Sequence, residues 1–442
     1  MENNFLIFIT IIFLVLYFPR LIGWFWWIFP QKRLTDEKRH RFALIVPARD
    51  EGRAVLPLFK SIQEQSYGAD YLNGGIGNAD KHTEKNIDRK ADKKSVDSLF
   101  DTYVIVKNPR DEVIGYAREI GAKVYVDEAQ KSKGDCLDYC IRHILAAGKK
   151  YDEQGRKIKK YDGYIIVDAD CRLDVDFLAN MNDALASGAQ VITGRKLVGN
   201  YSMGYLNSAS EKVVNAITCQ NGLVWPIIDE LGNRYKSALG LTTMPITTGI
   251  LIRGDLVEEW GGWIYRQTLT EDMELQRDCA CKGIKTFHYS FAKLYLEETP
   301  SHTDTNKRRT RWMTGMVAAD RLYCRKLLKR RGVRASIDNY YILSLWLVYA
   351  YIGTLSVAAV FNLVTFRIWQ AAAAFMLIYT AFFALSVMAV LADWKNIRLS
   401  WMKKLELMLI HPFFYMEYIF IVGRAVLGVN PKGWEKIGRV QY

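Results

Sequence analysis

Between Phe5 and Phe29 the only charged residue is Arg20, which follows Pro19. A run this apolar can satisfy its backbone inside a bilayer only as a helix, and about twenty residues suffice to cross one. A cleavable signal peptide is the competing reading. The segment lacks a basic leading region and a small-residue cleavage site, and it is too long. Trp24, Trp26 and Trp27 near its end match an interfacial aromatic belt. Gln31-Lys32-Arg33 and Lys38-Arg39-His40-Arg41 follow. Basic residues beside a span stay on the cytoplasmic side. Residues 1–31 are therefore expected to be an N-terminal transmembrane anchor, with Met1 outside and the next domain in the cytoplasm.

The 442-residue chain is 50% hydrophobic and 24% charged, and the two classes are separated along it. Nearly all Asp and Glu lie in the middle, while the long apolar runs and most Trp lie at the ends. The net charge of +13 comes from Lys and Arg beside the apolar ends and in scattered loops, with no basic-aromatic stripe. That distribution fits an anionic membrane surface and a phosphorylated ligand, and no nucleic-acid partner is expected. Seven Cys, an odd number with no CxxC pair, indicate neither a disulfide framework nor a zinc site.

A soluble α/β domain is expected over 38–330. Phe42–Val46, Tyr103–Val106, Lys123–Val126 and Tyr164–Val167 read as short apolar strands, with helices from about 54 to 64 and 111 to 120 between the first three. Such alternation implies parallel strands with helices on both faces, and ligands then bind beyond the carboxyl ends of the strands. Residues 70–99 are nearly devoid of apolar side chains and read as an exposed insertion, and Lys149–Lys160 as a shorter surface turn.

The remainder, 338–442, reads as transmembrane or interfacial helices. Tyr341–Val364 and Ile368–Leu391 are joined by only Thr365-Phe366-Arg367, which makes a membrane hairpin. The basic segment after it is expected in the cytoplasm. Leu405–Leu427 contains Glu406, His411, Pro412, Glu417 and Arg424, and a basic tail with Lys432, Lys436 and Arg439 follows. If this stretch crossed, that tail would lie outside, so an interfacial or re-entrant segment is the preferred reading.

Three motifs carry chemistry. Asp168-Ala169-Asp170 follows an apolar strand, so both carboxylates reach the mouth of the sheet, where an i, i+2 pair can grip a hard divalent cation bearing a diphosphate. Asp is also common where a strand simply turns. Thr270-Glu271-Asp272 could be an ordinary helix start. Equally, Asp272 could be the general base that takes a proton from an attacking hydroxyl. Arg308 and Arg311 of Arg308-Arg309-Thr310-Arg311-Trp312 share one helix face, beside Trp312. Guanidinium groups suit diphosphate oxygens and an indole suits a sugar ring. The same helix also reads as a basic amphipathic helix on the membrane surface.

The order and spacing of these motifs resemble the processive family 2 glycosyltransferases, among them cellulose, hyaluronan, chitin and poly-N-acetylglucosamine synthases. The resemblance includes Pro47-Ala48-Arg49-Asp50-Glu51, Lys133-Gly134-Asp135, Thr247-Thr248-Gly249 and Gly261-Gly262-Trp263, and it covers nearly the whole chain. It implies a Rossmann-like GT-A domain with added transmembrane helices, acting on a nucleotide-sugar, UDP-linked as a rule, with Mg2+ or Mn2+. Asp168 and Asp170 are then expected to serve metal and donor. Ala48, Glu51, Lys133, Arg308 and Arg311 would line the donor site. Asp272 would be the base for inverting transfer, with Glu271 beside it, and Thr248 and Trp312 would face the acceptor. The family usually carries an Asp after the second strand that contacts the base. Here Lys107 stands at that place, followed by Asn108-Pro109-Arg110-Asp111.

The expected function is extension of a polysaccharide by a multi-pass cell-membrane enzyme, and partner subunits are compatible with it. Transfer of one sugar to a lipid-linked acceptor is the enzymatic alternative. An inactive scaffold or regulatory subunit is the alternative of another class.

Overall fold

The computed structural model describes residues 2–68, 99–148, 160–199 and 209–430, without the side chains of residues 2, 3 and 209–215. Except for Leu99 and Lys160, the two polar insertions expected at 70–99 and 149–160 lie outside the described residues, as do Met1 and the basic tail from 431.

An eight-stranded sheet organises the middle of the chain. β1 (Phe42–Pro47), β2 (Phe100–Val106), β3 (Lys123–Val126) and β4 (Gly163–Ile166) run parallel in the spatial order β3-β2-β1-β4. The central strands β1 and β4 read as continuous apolar runs because helices cover both faces, whereas β3 at the sheet edge stays partly exposed. Along β1, Phe42, Leu44 and Val46 enter one core, and Ala43 and Ile45 enter the other. Helices α2 (Leu56–Gln63), α3 (Val113–Glu119) and α4 (Lys133–Ala147) make the connections.

The second half departs from the expected parallel pattern. β5 (Cys171–Leu173), β6 (Val191–Val198), β7 (Ile250–Arg253) and β8 (Thr286–Leu296) extend the sheet as β4-β7-β6-β8-β5. β7 is antiparallel to both neighbours, and β6 and β8 are parallel. Helix α5 (Phe177–Ala184) separates β5 from β6. The long excursion between β6 and β7, holding α6 (Ala209–Gly222), α7 (Val224–Ile228) and α8 (Arg234–Ala238), lets β7 enter in the opposite sense. Helices α9 (Gly254–Trp260) and α10 (Glu271–Lys282) then lead to β8, and α11 (His302–Lys329) leaves the sheet.

Four helices among the described residues are long and apolar enough to cross a membrane: the N-terminal segment Asn4–Ile28, Leu345–Val364, Ile368–Ala392 and Trp401–Leu427. The first takes in α1 (Glu2–Trp24) from Asn4 onward and the short turn that follows to Ile28. Next after α11, α12 (Val333–Leu343) runs directly into α13 (Leu345–Val364). The hairpin partner is α14 (Ile368–Ala392), and α15 (Trp401–Leu427) closes the described chain. Tyr351 of α13 hydrogen-bonds Thr10 of α1 at 3.0 Å and stacks on Phe13.

The segment read from sequence as interfacial or re-entrant is one unbroken helix through Pro412. It meets the length and hydropathy of a span, and it packs both on α14, where Tyr379 and Ser386 donate to the Leu409 and Met408 carbonyls at 3.0 Å, and on α6 and α11. Gln220 donates to the Leu407 carbonyl at 3.3 Å and Arg309 to that of Phe414 at 3.1 Å. Farther on, His302 meets Glu417 at 2.7 Å and Arg321 donates to the Val426 carbonyl at 2.9 Å. Asp393, at the start of the α14–α15 link, pairs with Arg195 of β6.

Candidate active site

β4 ends beside β1, and the chain then turns through Val167-Asp168-Ala169-Asp170. Val167 N–H bonds the Ile45 carbonyl at 3.0 Å, which keeps this turn against β1. Ala169 is buried, so Asp168 and Asp170 on either side project away from the core and are partly exposed. The turn is fixed at both ends: Asp168 N–H donates to Thr248 Oγ1 at 3.0 Å, and the Cys171 thiol donates to the Asp168 carbonyl at 2.9 Å.

Lys133 joins this turn to the Thr-Glu-Asp triplet. It is the first residue of α4, whose start is held by a capping box between Ser132 and Asp135. Its ammonium donates to Asp168 and lies 3.5 Å from Glu271 Oε1. Burial pulls the Lys133 pKa down, but Asp168 and Glu271 more than offset this and hold it above its usual value, so the group stays charged. Glu271 Oε1 also accepts from Thr247 Oγ1 at 2.9 Å. Thr247 and Thr248 thus each anchor one of the two acidic motifs. Gly249 follows at φ 71°, where an added Cβ would come within 2.5 Å of Leu294.

Asp272 sits in the first turn of α10. Burial, then the adjacent Glu271 carboxylate, push its pKa up to about 7, while Lys133 and Arg311 act to lower it. A carboxylate poised there can accept a proton near neutral pH. Thr270 occupies the N-cap position, as a helix start requires, but its hydroxyl makes no cap bond and is buried without a partner. The reason is the close approach of α11: a Cβ at Gly315 would lie 2.3 Å from Thr270 Oγ1. That approach brings Arg311, one turn earlier on α11, into the field of Asp272.

Arg308 and Trp312 form a second group on the same helix. Arg308 is ion-paired to the buried Glu298, which also accepts from Trp225 Nε1–H at 2.7 Å. The Arg308 guanidinium lies over the Trp312 ring at 5.0 Å, and Trp312 meets Trp225 edge-on at 6.4 Å. Arg309 points the other way. It is buried, with its guanidinium over the Phe414 and Tyr418 rings of α15 at 3.9 and 4.5 Å. One helix therefore serves the cleft and the apolar bundle together.

At the ends of β1 and β2, Ala48 is buried and its N–H bonds the Ile105 carbonyl at 2.8 Å. Asp50 takes a left-handed φ of 57°, and Glu51 opens a short helical turn. Lys107 Nζ donates to the Gln130 carbonyl at 3.2 Å. The carboxylate of Asp111, the first acid after the second strand, is engaged locally. One carboxylate oxygen accepts from Val113 N–H at 3.0 Å in the turn ahead of α3, and the other is buried without a partner.

The structure thus brings Lys133, Asp168, Glu271 and Asp272 together with Thr248 and Arg311, and sets Arg308 and Trp312 in a neighbouring ion-paired cluster. Sequence reasoning missed Glu298, Trp225 and the separate role of Arg309. Thr247 stands in the Thr-Thr-Gly motif, whose sequence carries no sign of its contact with Glu271. Among the described residues no three His, Cys, Asp or Glu side chains cluster to hold a metal. A one- or two-carboxylate site completed by phosphate oxygens and water is how Mg2+ is commonly held, so Asp168 and Asp170 fit a hard cation that arrives with a diphosphate.

Residues 164–388 match the family described as Glycosyl transferase family group 2. A search of curated proteins returns no match. Among solved structures, the chain is similar to the mannosyltransferase PcManGT from Pyrobaculum calidifontis in complex with GDP-Man and Mn2+. The TM-score is 0.52 at 15% identity, over 94% of this chain and 98% of that one. A second likeness is to S. aureus TarS 1-349 in complex with UDP-GlcNAc, with a TM-score of 0.43 at 11% identity, over 88% of this chain and 92% of that one.

Proposed function

The chain belongs to glycosyl transferase family group 2, and from that premise we propose that it is a membrane-bound inverting enzyme that moves a sugar from a nucleotide-sugar donor onto a growing polysaccharide. The sheet core is of the GT-A type. The observation that carries the proposal is the convergence at the strand ends: a charged Lys133 between Asp168 and Glu271, and next to them an Asp272 whose carboxyl is raised to about 7.

In this reading Asp272 takes the proton from the acceptor hydroxyl as that oxygen attacks the anomeric carbon from the face opposite the leaving diphosphate. A single displacement of this kind inverts the centre. Lys133 and Arg311 keep Asp272 from protonating further and add positive charge beside the departing diphosphate. Asp168 and Asp170 would hold Mg2+ or Mn2+, which neutralises diphosphate charge when bound. Ala48 and Glu51 bound the nucleoside end. Trp312, fixed by Arg308 and Trp225, offers its ring to the acceptor sugar.

The basic residues after α1 support a catalytic domain on the cytoplasmic side, where nucleotide sugars are made. The α13–α14 hairpin spans, and α15 lies along the membrane surface. Glu406, Glu417 and Arg424 within it, and the basic residues that follow it in the sequence, support that placement over a crossing.

The test offers purified full-length protein a panel of radiolabelled nucleotide sugars with Mn2+. A ladder of long products supports polymer synthesis. Products carrying a single sugar on lipid would replace it with the lipid-acceptor reading.

A further inference from the structure

A second cationic region lies away from the strand ends. α11 ends at Lys329, and Arg330, Arg331 and Gly332 lead into α12. Here a pocket of about 280 Å³ forms against the loop after α8 and the turn between α10 and β8. Three arginines line it: Arg330, Arg331 and Arg334. Arg330 reaches over Gly283, where an added Cβ would come within 2.8 Å of its guanidinium. Arg334 is tethered to the Gly240 carbonyl, and both Arg331 and Arg334 are exposed.

Among the described residues none of the three meets a carboxylate. The one acid in the lining, Asp338, is buried and already engaged, accepting from Thr242 N–H at 2.7 Å and Thr242 Oγ1 at 2.5 Å. α12 also begins without a side-chain cap, so its first N–H groups add partial positive charge.

The pocket's position narrows the ligand. At the far end of α12, Tyr340 and Tyr341 donate to the carbonyls of Leu16 and Pro19, within the apolar part of α1. Arg334 precedes Tyr340 by six residues on α12, a rise of about 9 Å, so the arginine end lies within about that distance of this apolar level. The headgroup zone borders the hydrocarbon and is about 5–7 Å thick, so a rise of about 9 Å from inside the apolar part of α1 reaches it. Leu328, Val333 and Ile337 around the pocket are 66%, 80% and 43% exposed. Water alone is a poor neighbour for such side chains, whereas acyl chains would cover them.

We propose that this pocket holds the phosphate headgroup of an anionic phospholipid of the cytoplasmic leaflet, with the flanking apolar side chains against its acyl region. The inference rests on the membrane reading of the chain. It ties the helix that carries Arg311 and Trp312 to the bilayer.

The test compares wild type with R331Q/R334Q, two exposed positions whose change leaves the core intact. Full-length protein is exchanged between phosphatidylcholine and phosphatidylglycerol, and bound lipid is counted by native mass spectrometry. Wild type should retain phosphatidylglycerol preferentially, and the variant should bind it roughly thirtyfold more weakly, from the typical contribution of two basic groups at a membrane surface. Equal retention by the two proteins overturns the proposal. So does displacement of phosphatidylglycerol by inorganic phosphate, which would make the pocket a site for free anions. Carbonate extraction separates the two readings. Release of wild type from membranes defeats the membrane assignment, whereas retention without lipid preference defeats the pocket alone.

Discussion

Replacing Lys133 by methionine removes one charge while keeping the length of the side chain. The ammonium lies 3.5 Å from Glu271 Oε1, and at an effective dielectric of about 20 that contact amounts to about 4.7 kcal/mol of gross Coulomb attraction. Asp272 feels the same charge less strongly, since Asp168 and Glu271 precede it among the groups that act on Lys133. About one pKa unit, or about 1.4 kcal/mol, is a fitting share. The sign follows from the carboxyl. Burial and Glu271 raise Asp272, and Lys133 opposes them, so its loss moves the pKa further up from about 7. A general base works when deprotonated. The acidic limb of log kcat/KM against pH should therefore lie near pH 7 in wild type and about one unit higher in K133M. Steady-state kinetics over a pH series with saturating Mn2+ measures it. An unmoved limb, or one shifted toward acid, refutes the coupling between Lys133 and the base.

Other perturbations follow from the same contacts. Asp170→Ala should abolish the part of donor affinity that requires a divalent cation, seen by calorimetry with and without chelator; unchanged metal-dependent affinity rules that role out. Glu298→Gln leaves Arg308 without its buried partner and frees Trp312, so unfolding should be easier by about 3 kcal/mol, with transfer impaired. A thermal midpoint equal to wild type would contradict it. Gly315→Ala drives a methyl into Thr270 and should push α11 off the start of α10, lowering kcat. Adding Thr270→Ala should recover part of the loss, and strict additivity of the two changes would argue against the contact.

Much of this architecture is legible in the sequence, for a local reason. β1 and β4 are apolar runs covered on both faces, the last residues of β2 are likewise buried, and the acidic turn at Asp168 follows its strand immediately. The long apolar helices announce themselves by length. The second half of the sheet does not, because β7 enters antiparallel only after the excursion through α6 to α8, and no local pattern encodes that direction. The site shows the same division. Asp168, Glu271, Asp272 and Arg311 stand in short motifs. Glu298 has no marker, since only the folded chain shows that an acid near the end of β8 is buried against Arg308 and Trp225. The adjacent arginines of the Arg-x-x-Arg-Trp motif look equivalent in sequence, yet helix geometry sends Arg309 to α15 and Arg308 to the cleft.

The central claim is that Asp272 is the base of a glycosyl transfer, and a paired measurement on Asp272→Asn tests it most directly. Transfer from a labelled nucleotide sugar and donor affinity are determined on the same detergent-purified protein. The account predicts a fall in kcat of roughly 10²–10⁴ with donor affinity retained. A variant that transfers sugar at the wild-type rate contradicts it.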